Sequence, residues 1–341
     1  MLEFEHPEPE KTKGPVWPVF IPFAGCPFRC VYCSPYAQTG QSARNAHQTA
    51  QDMTAAILAR QQETGRPTAI GFFGGTFTAL KEKDMLLFLE QAWSLKRKGA
   101  VSHIRCSTRP DQISNKILDT LMEYGLDMIE LGIQSFDDTT LEMSGRGYSG
   151  AEAVRACHMV RKHGFELGVQ LLPGLPGSGR ARFARDVALT RNIIPDIVRI
   201  YPCLVLKNTP LAKKMNTGSF RPWNLERTVS VVSRALLSLW LKKIPVIRLG
   251  LAPEPDLIKN ILAGPWHPAL GAICRSTALK SYFLSRLEET GASPALINIP
   301  GRYVSDFWGY NKMNENAYAR KGITREMVKP REKGCFRIYL S

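Results

Sequence analysis

The sequence predicts an α/β fold built on a parallel sheet, and three observations support this. Apolar, β-branched segments typical of strands alternate with segments of helical periodicity. Neighbouring parallel strands need a crossover connection, which is usually a helix. Several predicted strands also end in polar residues or glycine, where parallel barrels bind their ligands. These features favour either a doubly wound sheet or a partial barrel.

Six strand–helix units account for residues 15–205. The predicted strands are the segments VWPVFIPF, AIGFFGG, HIRCST, MIELGIQS, LGVQLLPG and IVRIYPCLVL. The predicted helices between them are residues 48–64, 81–98, 114–124, 151–163 and 180–192. Residues 1–14 are interpreted as an N-terminal tail. Residues 206–341 are interpreted as a C-terminal α+β extension over the barrel or its substrate opening, with an amphipathic helix near 227–242, a strand in VIRLGL and an irregular tail.

Composition indicates a globular protein. The chain has 341 residues, of which 44% are hydrophobic, so it is long enough to bury a large core. The first residues are acidic and rich in proline, and the longer apolar stretches are too short to span a membrane. We therefore expect a cytoplasmic protein with no membrane association.

The basic residues are unevenly distributed along the chain, whose formal charge is +15. Residues 197–253 contain ten lysines and arginines against one acidic residue, and the segment from Asn311 onward contains eight against three. Such an imbalance favours a polyanionic partner, with nucleic acid first and an acidic small molecule second. A solvated basic face that binds nothing is the alternative.

Cys26, Cys30 and Cys33 form a cluster just after the first predicted strand. Structural zinc usually needs a second pair of ligands, which is missing here, and a disulfide would leave one thiol over. Three thiolates on a short loop suit an iron–sulfur cluster with one iron that has no protein ligand. The other cysteines lack ligand spacing and are interpreted as small buried residues, with the role of the last left open: Cys106, Cys157, Cys203, Cys274 and Cys335.

The spacing of these three cysteines resembles the signature of radical S-adenosylmethionine enzymes, which lies in the loop after the first strand of a six-unit barrel. The resemblance implies a partial (βα)6 TIM-like barrel with a [4Fe–4S] cluster on Cys26, Cys30 and Cys33. It implies that S-adenosylmethionine binds the open iron and that an electron, from a donor such as flavodoxin or ferredoxin, cleaves its sulfonium bond. The resulting 5′-deoxyadenosyl radical would abstract hydrogen from the substrate.

Two strand ends resemble cofactor-binding segments of that superfamily. GFFGGTF places Gly74, Gly75 and Thr76 where the family usually has Gly-Gly-Glu, which binds the methionine amino group. The threonine in place of glutamate is a departure that leaves the role of Thr76 open. In IRCSTRPD, the candidates for the ribose or the methionine carboxylate are Ser107, Thr108 and Arg109.

Two later segments extend the resemblance. ELGIQSFDDTTLEMSGRGYS is similar to a segment of radical enzymes related to the Elongator catalytic subunit and to oxygen-independent coproporphyrinogen oxidase. By this resemblance Gln134 faces S-adenosylmethionine and Arg146 pairs with its carboxylate, a task suited to a bidentate guanidinium. Gln170 in FELGVQLLPGLPG would hydrogen-bond the ribose or adenine side, and Tyr32 lies where the family has an aromatic residue near adenine.

The C-terminal segments RIYPCLVLKNTPLAKK, VIRLGLAPEP and GPWHPALG resemble bacterial radical enzymes close to the Elongator subunit, without transferable roles. His267 in GPWHP is interpreted as structural, with a catalytic role as the alternative. The acetyltransferase domain of the Elongator subunit has no room in this sequence, so acetyl transfer is not expected.

The leading hypothesis is a radical S-adenosylmethionine enzyme whose substrate is tRNA. The Elongator resemblance and the basic region suggest that substrate. Two alternatives stay open. The substrate could be a small anionic metabolite, or the chain could be a non-catalytic iron–sulfur protein that binds RNA or transfers electrons.

Overall fold

The computed structural model describes residues 1–9, 14, 16–21, 24–27, 30–34, 45–332 and 334–341. The strands in this part of the chain are β1 (Leu2–Phe4), β2 (Val16–Phe20), β3 (Thr68–Phe73), β4 (Val101–Thr108), β5 (Met128–Gln134), β6 (Glu166–Leu171), β7 (Ile197–Ile200), β8 (Val205–Leu206), β9 (Val246–Leu249), β10 (Ile261–Ala263), β11 (Pro294–Pro300), β12 (Val328–Arg331) and β13 (Phe336–Leu340).

The helices fall mainly between these strands. The α-helices are Ala46–Thr64, Glu82–Arg97, Asn115–Glu123, Asp138–Met143, Gly150–Lys162, Arg180–Ile193, Pro210–Asn216, Leu225–Trp240, Pro255–Asn260, Leu270–Glu288, Val304–Trp308 and Glu315–Ala319. Short 3-10 helices lie at Phe77–Ala79, Pro110–Gln112, Gly301–Tyr303 and Tyr310–Lys312.

The main sheet has seven strands in the order β2-β3-β4-β5-β6-β7-β9, and every neighbouring pair is parallel. The central strands are nearly continuous apolar runs, because helices cover a parallel sheet and leave little of it to water. In β5, for example, Met128, Ile129, Leu131 and Ile133 are fully buried. The sheet therefore forms the partial TIM-like barrel that the sequence predicts, and the fold class is confirmed.

The structure differs from the prediction in the number of barrel strands. Residues of VIRLGL form β9, which pairs with β7 through Val198 and Val246, so the sheet has a seventh strand. The predicted strand IVRIYPCLVL is divided into β7 and β8, and Pro202 lies between them. Proline has no N–H to donate to a sheet, so it disfavours a continuous strand there.

A second sheet shows that the C-terminal tail is not irregular. It has the order β1-β13-β11-β12 and packs on the helix Leu270–Glu288. Residues expected to be an N-terminal tail contribute β1, which runs antiparallel to β13 with Phe4 opposite Phe336. This pairing joins the two ends of the chain, so no local sequence pattern could reveal it. The division at residues 15, 205 and 206 stays a prediction.

Local sequence explains where the barrel helices begin. Asn45 caps Ala46–Thr64 by accepting the N–H of His47, and Ser149 and Glu152 form a reciprocal capping box at the start of Gly150–Lys162. Among the helices of the described residues, none combines the length and the hydropathy that a membrane span requires.

His6 is a buried histidine that follows β1 of the second sheet. Its ring stacks on Tyr303 at 4.1 Å between centroids, and its Nδ1 accepts the N–H of Glu8 at 3.0 Å. Burial is the main cause that lowers the pKa of His6 to about 3, assisted by Arg275 and Arg302. The imidazole is therefore neutral in the folded chain.

We expect acid to destabilise the protein through His6. The unfolded chain binds the extra proton below a pH of about 6.5, so the free energy of unfolding should fall by up to about 1.4 kcal/mol per pH unit as pH decreases from there towards the folded pKa. Urea unfolding of His6→Asn, whose amide oxygen can replace Nδ1, should lack this component. The exposed His47→Asn should keep it, and an equal slope in both variants would contradict the assignment.

Candidate functional site

A cavity of about 760 Å³ opens at the carboxyl ends of the barrel strands. Ligands of parallel barrels bind at this end, because the loops after the strands converge there. The structure brings all thirteen predicted site residues to this cavity: Cys26, Cys30, Tyr32, Cys33, Gly74, Gly75, Thr76, Ser107, Thr108, Arg109, Gln134, Arg146 and Gln170.

The cysteine loop packs directly on the turn after β3. Gly25 has a positive φ of 72°, and a Cβ there would lie 2.3 Å from the carbonyl oxygen of Thr76. A Cβ on Gly75 would lie 2.4 Å from the carbonyl oxygen of Ala24. Only glycine permits this approach, which also places Thr76 Oγ1 3.3 Å from Cys26 Sγ. The threonine at the position where the resemblance expects a glutamate therefore contacts Cys26, one of the three predicted cluster ligands.

Two buried arginines surround Cys30. Arg146 Nη1 lies 3.2 Å from Cys30 Sγ, and Arg109 Nη1 lies 3.8 Å from the same sulfur. Arg109 is fixed by both carboxylate oxygens of Asp111, while Arg146 Nε donates to the hydroxyl of Tyr148 at 2.9 Å. Nearby cations stabilise a thiolate and any anionic group that it binds.

Tyr32 closes this part of the wall. Arg146 Nη1 donates to its hydroxyl at 3.4 Å, and burial raises the pKa of Tyr32. The phenol is therefore neutral beside the cysteines. The predicted pairing of Arg146 with a cofactor carboxylate stays a prediction, because Cys30 and Tyr148 already engage its guanidinium in this structure.

Gln134 ends β5 in an unusual conformation that aims it at the cavity. Its φ of 65° is in the left-handed region, which is strained for a non-glycine residue and is often found at functional sites. Its Oε1 is buried and has no hydrogen-bond partner among the described residues. A buried acceptor without a donor is costly, so the position suits a donor group of a bound ligand.

Asp186 holds the turn after Gln134 and was not identified from the sequence. Its carboxyl accepts the Ser135 hydroxyl at 2.9 Å and the Phe136 N–H at 2.7 Å. Burial raises the pKa of Asp186 to about 7, although these two hydrogen bonds oppose the shift. The helix Arg180–Ile193 thus positions the end of β5 from outside the sheet.

Glu130 forms a charged network beneath the cavity. This fully buried carboxylate accepts from Arg199 Nε at 2.6 Å and from Arg105 Nη1 at 3.3 Å. Gln170 Nε2 lies 3.4 Å from Glu130 Oε2 and donates to the Ser107 hydroxyl at 3.0 Å. Glu130 therefore orients two cavity residues, Gln170 and Arg199, without lining the cavity itself.

One feature of the sequence indicates this charged network. Glu130 is an acidic residue in the middle of an otherwise apolar strand, where a charge is retained only if it is paired. Arg199, which the sequence grouped with an exterior basic region, lies in the barrel wall. Its pairing with Glu130 removes it from the free positive charge available to a polyanion.

The hydroxyl groups of Ser107 and Thr108 have different hydrogen-bond partners. Ser107 accepts from Gln170, whereas the hydroxyl of Thr108 lies 2.6 Å from that of Thr78. Adjacent strand residues point to opposite faces, so one of the pair meets the barrel network and the other meets the helical layer. Both still contribute to the cavity wall.

Three further predicted or open residues are placed by the structure. His267 does not line the cavity; its Nδ1 accepts the N–H of Ala269 just before the helix Leu270–Glu288, which agrees with a structural role. Cys335 donates to the carboxylate of Glu3 on the second sheet. Cys203 does line the cavity, and burial raises the pKa of its thiol to about 12, so it is protonated at neutral pH.

The chemistry of the residues around the cavity suits an iron–sulfur cluster and a polar ligand. Within the described residues, no three His, Cys, Asp or Glu side chains are grouped closely enough to hold one ion, and none of the three cysteines forms a disulfide. A cluster takes its thiolates on different irons, so its cysteines stand further apart. The three thiols share one cavity with two buried cations and an unpartnered amide oxygen, which suits a cluster and a polar ligand.

A parallel half-barrel with a three-cysteine loop at the carboxyl end of its first strand defines a class of iron–sulfur enzymes. Two family models match the chain in succession: the Radical SAM superfamily over residues 20–189 and the Radical_SAM C-terminal domain over residues 195–279. The chain belongs to the radical SAM superfamily and is a radical SAM enzyme. Members use a [4Fe–4S] cluster and S-adenosylmethionine.

The chain matches only part of the length of each curated relative. A tRNA uridine(34) acetyltransferase from Methanocaldococcus infernus is 27% identical over 214 residues, which cover 55% of this chain and 40% of that protein. The oxygen-independent coproporphyrinogen-III oxidase-like protein HemZ from Bacillus subtilis is 30% identical over 252 residues, with 71% and 48% covered. The chain thus spans about half or less of the length of these relatives.

A solved structure confirms the fold. The archaeal Methanocaldococcus infernus Elp3 with an N-terminal deletion of residues 1–46 superposes with a TM-score of 0.58 and 22% sequence identity. The match covers 81% of this chain and 63% of that one, so it extends beyond the barrel into the C-terminal part.

We expect Glu130→Gln to lower the free energy of unfolding by about 3–5 kcal/mol, because it leaves the guanidinium groups of Arg105 and Arg199 without a counter-charge. Binding of S-adenosylmethionine should also weaken, since Gln170 loses an orienting partner. Urea unfolding and a cofactor titration measure the two effects.

The matched control is Glu123→Gln, the same chemical change at an exposed helix end, which should change stability by less than about 0.5 kcal/mol. Comparable stability of Glu130→Gln and Glu123→Gln would show that the network does not support the barrel.

Proposed function

We propose that this enzyme binds a [4Fe–4S] cluster through Cys26, Cys30 and Cys33, cleaves S-adenosylmethionine reductively and abstracts a hydrogen atom from tRNA. The observation that carries the proposal is the convergence of the three cysteines, the glycine turn, Gln134, Arg146 and Gln170 on one cavity. They come from four separate strand ends and the loops that follow them, so their meeting is a consequence of the fold.

The cysteine loop and the buried arginines form the binding site for the cluster. When bound, the cluster supplies an electron that cleaves the sulfonium bond of S-adenosylmethionine, and the adenosyl product removes a hydrogen atom from the substrate. Arg146 and Arg109 offset the negative charge of the thiolates from within the protein. Tyr32 contributes a neutral aromatic wall that excludes water from the same side.

The other strand ends form the binding site for S-adenosylmethionine. The carbonyl groups of the turn at Gly74 and Gly75 and the free Oε1 of Gln134 can accept from its ammonium or ribose hydroxyls. Ser107 and Gln170 are already joined by a hydrogen bond and present a fixed polar pair to the ribose or adenine. These roles are part of the proposal, as are the flavodoxin or ferredoxin donor and the cytoplasmic location.

Two observations support tRNA as the substrate. The relative from Methanocaldococcus infernus is named a tRNA uridine(34) acetyltransferase. Basic residues outside the barrel wall are exposed in the C-terminal part of the chain, as expected for a surface that binds phosphates: Lys207, Lys213, Arg221, Lys242 and Lys243.

A small anionic metabolite is the second candidate, and one observation favours it. Arg248 lies at the cavity lining, beside the barrel-wall Arg199, so a positive group faces the interior as well as the exterior. Such a group would bind an acidic substrate that enters the cavity whole.

We expect Cys30→Ala to lose the cluster after anaerobic reconstitution, because only two thiolates would then hold a cluster that already has one iron without a protein ligand. The parent should bind about four irons per chain and release 5′-deoxyadenosine when dithionite is added. Iron analysis and product detection by mass spectrometry measure these outcomes. Cys203→Ala is the matched control, since it removes a thiol from the same cavity that is protonated at neutral pH, and it should retain the cluster. Cofactor cleavage by Cys30→Ala would overturn the assignment.

We expect tRNA binding to weaken steeply with salt, because lysines and arginines displace condensed counterions from the phosphates. Fluorescence anisotropy with labelled tRNA at increasing salt gives the slope. Heparin is the control polyanion: if it competes as well as unlabelled tRNA at equal charge, the surface is not selective for RNA and the small anionic substrate becomes the better candidate.

A further inference from the structure

A second cavity, of about 520 Å³, lies outside the cofactor site. Its lining includes Arg180, Arg221, Trp223, Glu226 and Arg227, so three guanidinium groups surround a single carboxylate. We propose that this arginine pocket binds a phosphate group. The assignment of that phosphate to the backbone of an RNA substrate rests on the proposed function, whereas the phosphate site itself does not.

Arg227 is arranged as an anion receptor. Its guanidinium carbon lies 4.5 Å from the centre of the Trp223 ring, and its Nε is buried without a hydrogen-bond partner among the described residues. Stacking on an aromatic face fixes the plane of the guanidinium, and a guanidinium held in one plane suits bidentate binding of phosphate.

The other two arginines are also unneutralised. In the described part of the chain, no ion pair joins Arg180, Arg221 or Arg227 to a carboxylate. Glu226 is exposed at the pocket and makes no such pair. The pocket therefore keeps an excess of positive charge that a doubly charged oxyanion could balance.

The start of the helix Arg180–Ile193 adds to this excess. Gly179 offers no capping side chain, and the first turn contains no acidic residue. Instead Arg180 is exposed at the positive end of the helix dipole, a position that favours an anion and disfavours a cation. Arg182, two residues further along the helix, pairs with Asp137 and donates to the carbonyl oxygen of Gly177. It is therefore not part of the pocket.

The pocket adjoins the cofactor cavity. Trp223 packs against Gly174 so closely that a Cβ there would lie 3.3 Å from the ring. Gly174 follows Leu172, a residue of the cofactor cavity, by two positions, a separation of at most about 7 Å between Cα atoms. Phe220, next to Arg221, packs in the same apolar cluster as Tyr32 and Leu172. A strand of RNA could therefore place a nucleotide in the cavity and a neighbouring phosphate in the arginine pocket.

Two titrations of the full-length protein test the phosphate site: fluorescence anisotropy with labelled tRNA over a range of salt, and calorimetry with inorganic phosphate. We expect Arg227→Ala to weaken tRNA binding by about tenfold, as for loss of a charge-assisted contact, and to reduce the salt slope by about one. Arg227→Lys should restore the slope but not the full affinity, because an ammonium neither stacks on Trp223 in the same way nor binds bidentately.

Arg234→Ala is the matched control. It removes the same charge from an exposed position two turns along the same helix, outside the pocket, and should change tRNA affinity by less than about twofold. Cofactor cleavage without tRNA should be unchanged in all three variants, which separates the pocket from the cofactor site.

The outcomes distinguish the source of the phosphate. Loss of inorganic phosphate binding in Arg227→Ala with tRNA binding intact would support the site and assign it to a small phosphate ester. If the parent protein bound no tRNA, the proposal of an RNA substrate would be wrong. The calorimetric titration with inorganic phosphate would still test whether the pocket binds phosphate. Equal behaviour of Arg227→Ala and Arg234→Ala towards both ligands would overturn the proposal.

Discussion

The site depends on one buried carboxylate. Glu130 lies inside the barrel with no exposure to water, where an unpaired charge would be prohibitive, and Arg105 on β4 and Arg199 on β7 neutralise it. Because these partners come from strands on both sides of β5, the network forms only when the strands are in register. The register pairs Glu130 with Gly168 and Gln170 with Arg199.

The network requires glycine at position 168, because a side chain there would collide with Glu130. A Cβ at Gly168 would lie 2.7 Å from Cγ of Glu130, so a larger residue would displace the carboxylate from its partners. The barrel therefore combines a glycine, a carboxylate and two arginines in one layer. Above that layer, Ser107 and Gln170 form the floor of the cavity, while the cysteine loop, the glycine turn and Arg146 form its rim. The floor is fixed by charge pairing across strands, and the rim is fixed by close backbone approach.

The sequence points to the cavity residues that belong to local motifs and does not reveal pairings between residues distant in the chain. The cysteine spacing, the double glycine and Gln134 are short motifs, and the cavity contains all of them. The partnership of Glu130 with Arg199 spans 69 positions, and that of β1 with β13 spans most of the chain, so neither has a local pattern. Arg199 was grouped with exterior arginines for the same reason: its counter-charge, Glu130 on β5, lies two strands before β7 in the chain.

The size of the cofactor cavity constrains how a polyanion could be a substrate. A volume of about 760 Å³ is within the range of small-molecule sites, so a polynucleotide cannot enter the cavity whole and only a small part of it can reach the interior. An enzyme that acts on a base must remove it from its stack, and the cost of unstacking has to be offset by contacts elsewhere on the strand. Those contacts must lie outside the cavity yet close to its opening. The arginine pocket beside Gly174 is placed where such a contact is needed, because Trp223 links it to the same turn that follows β6.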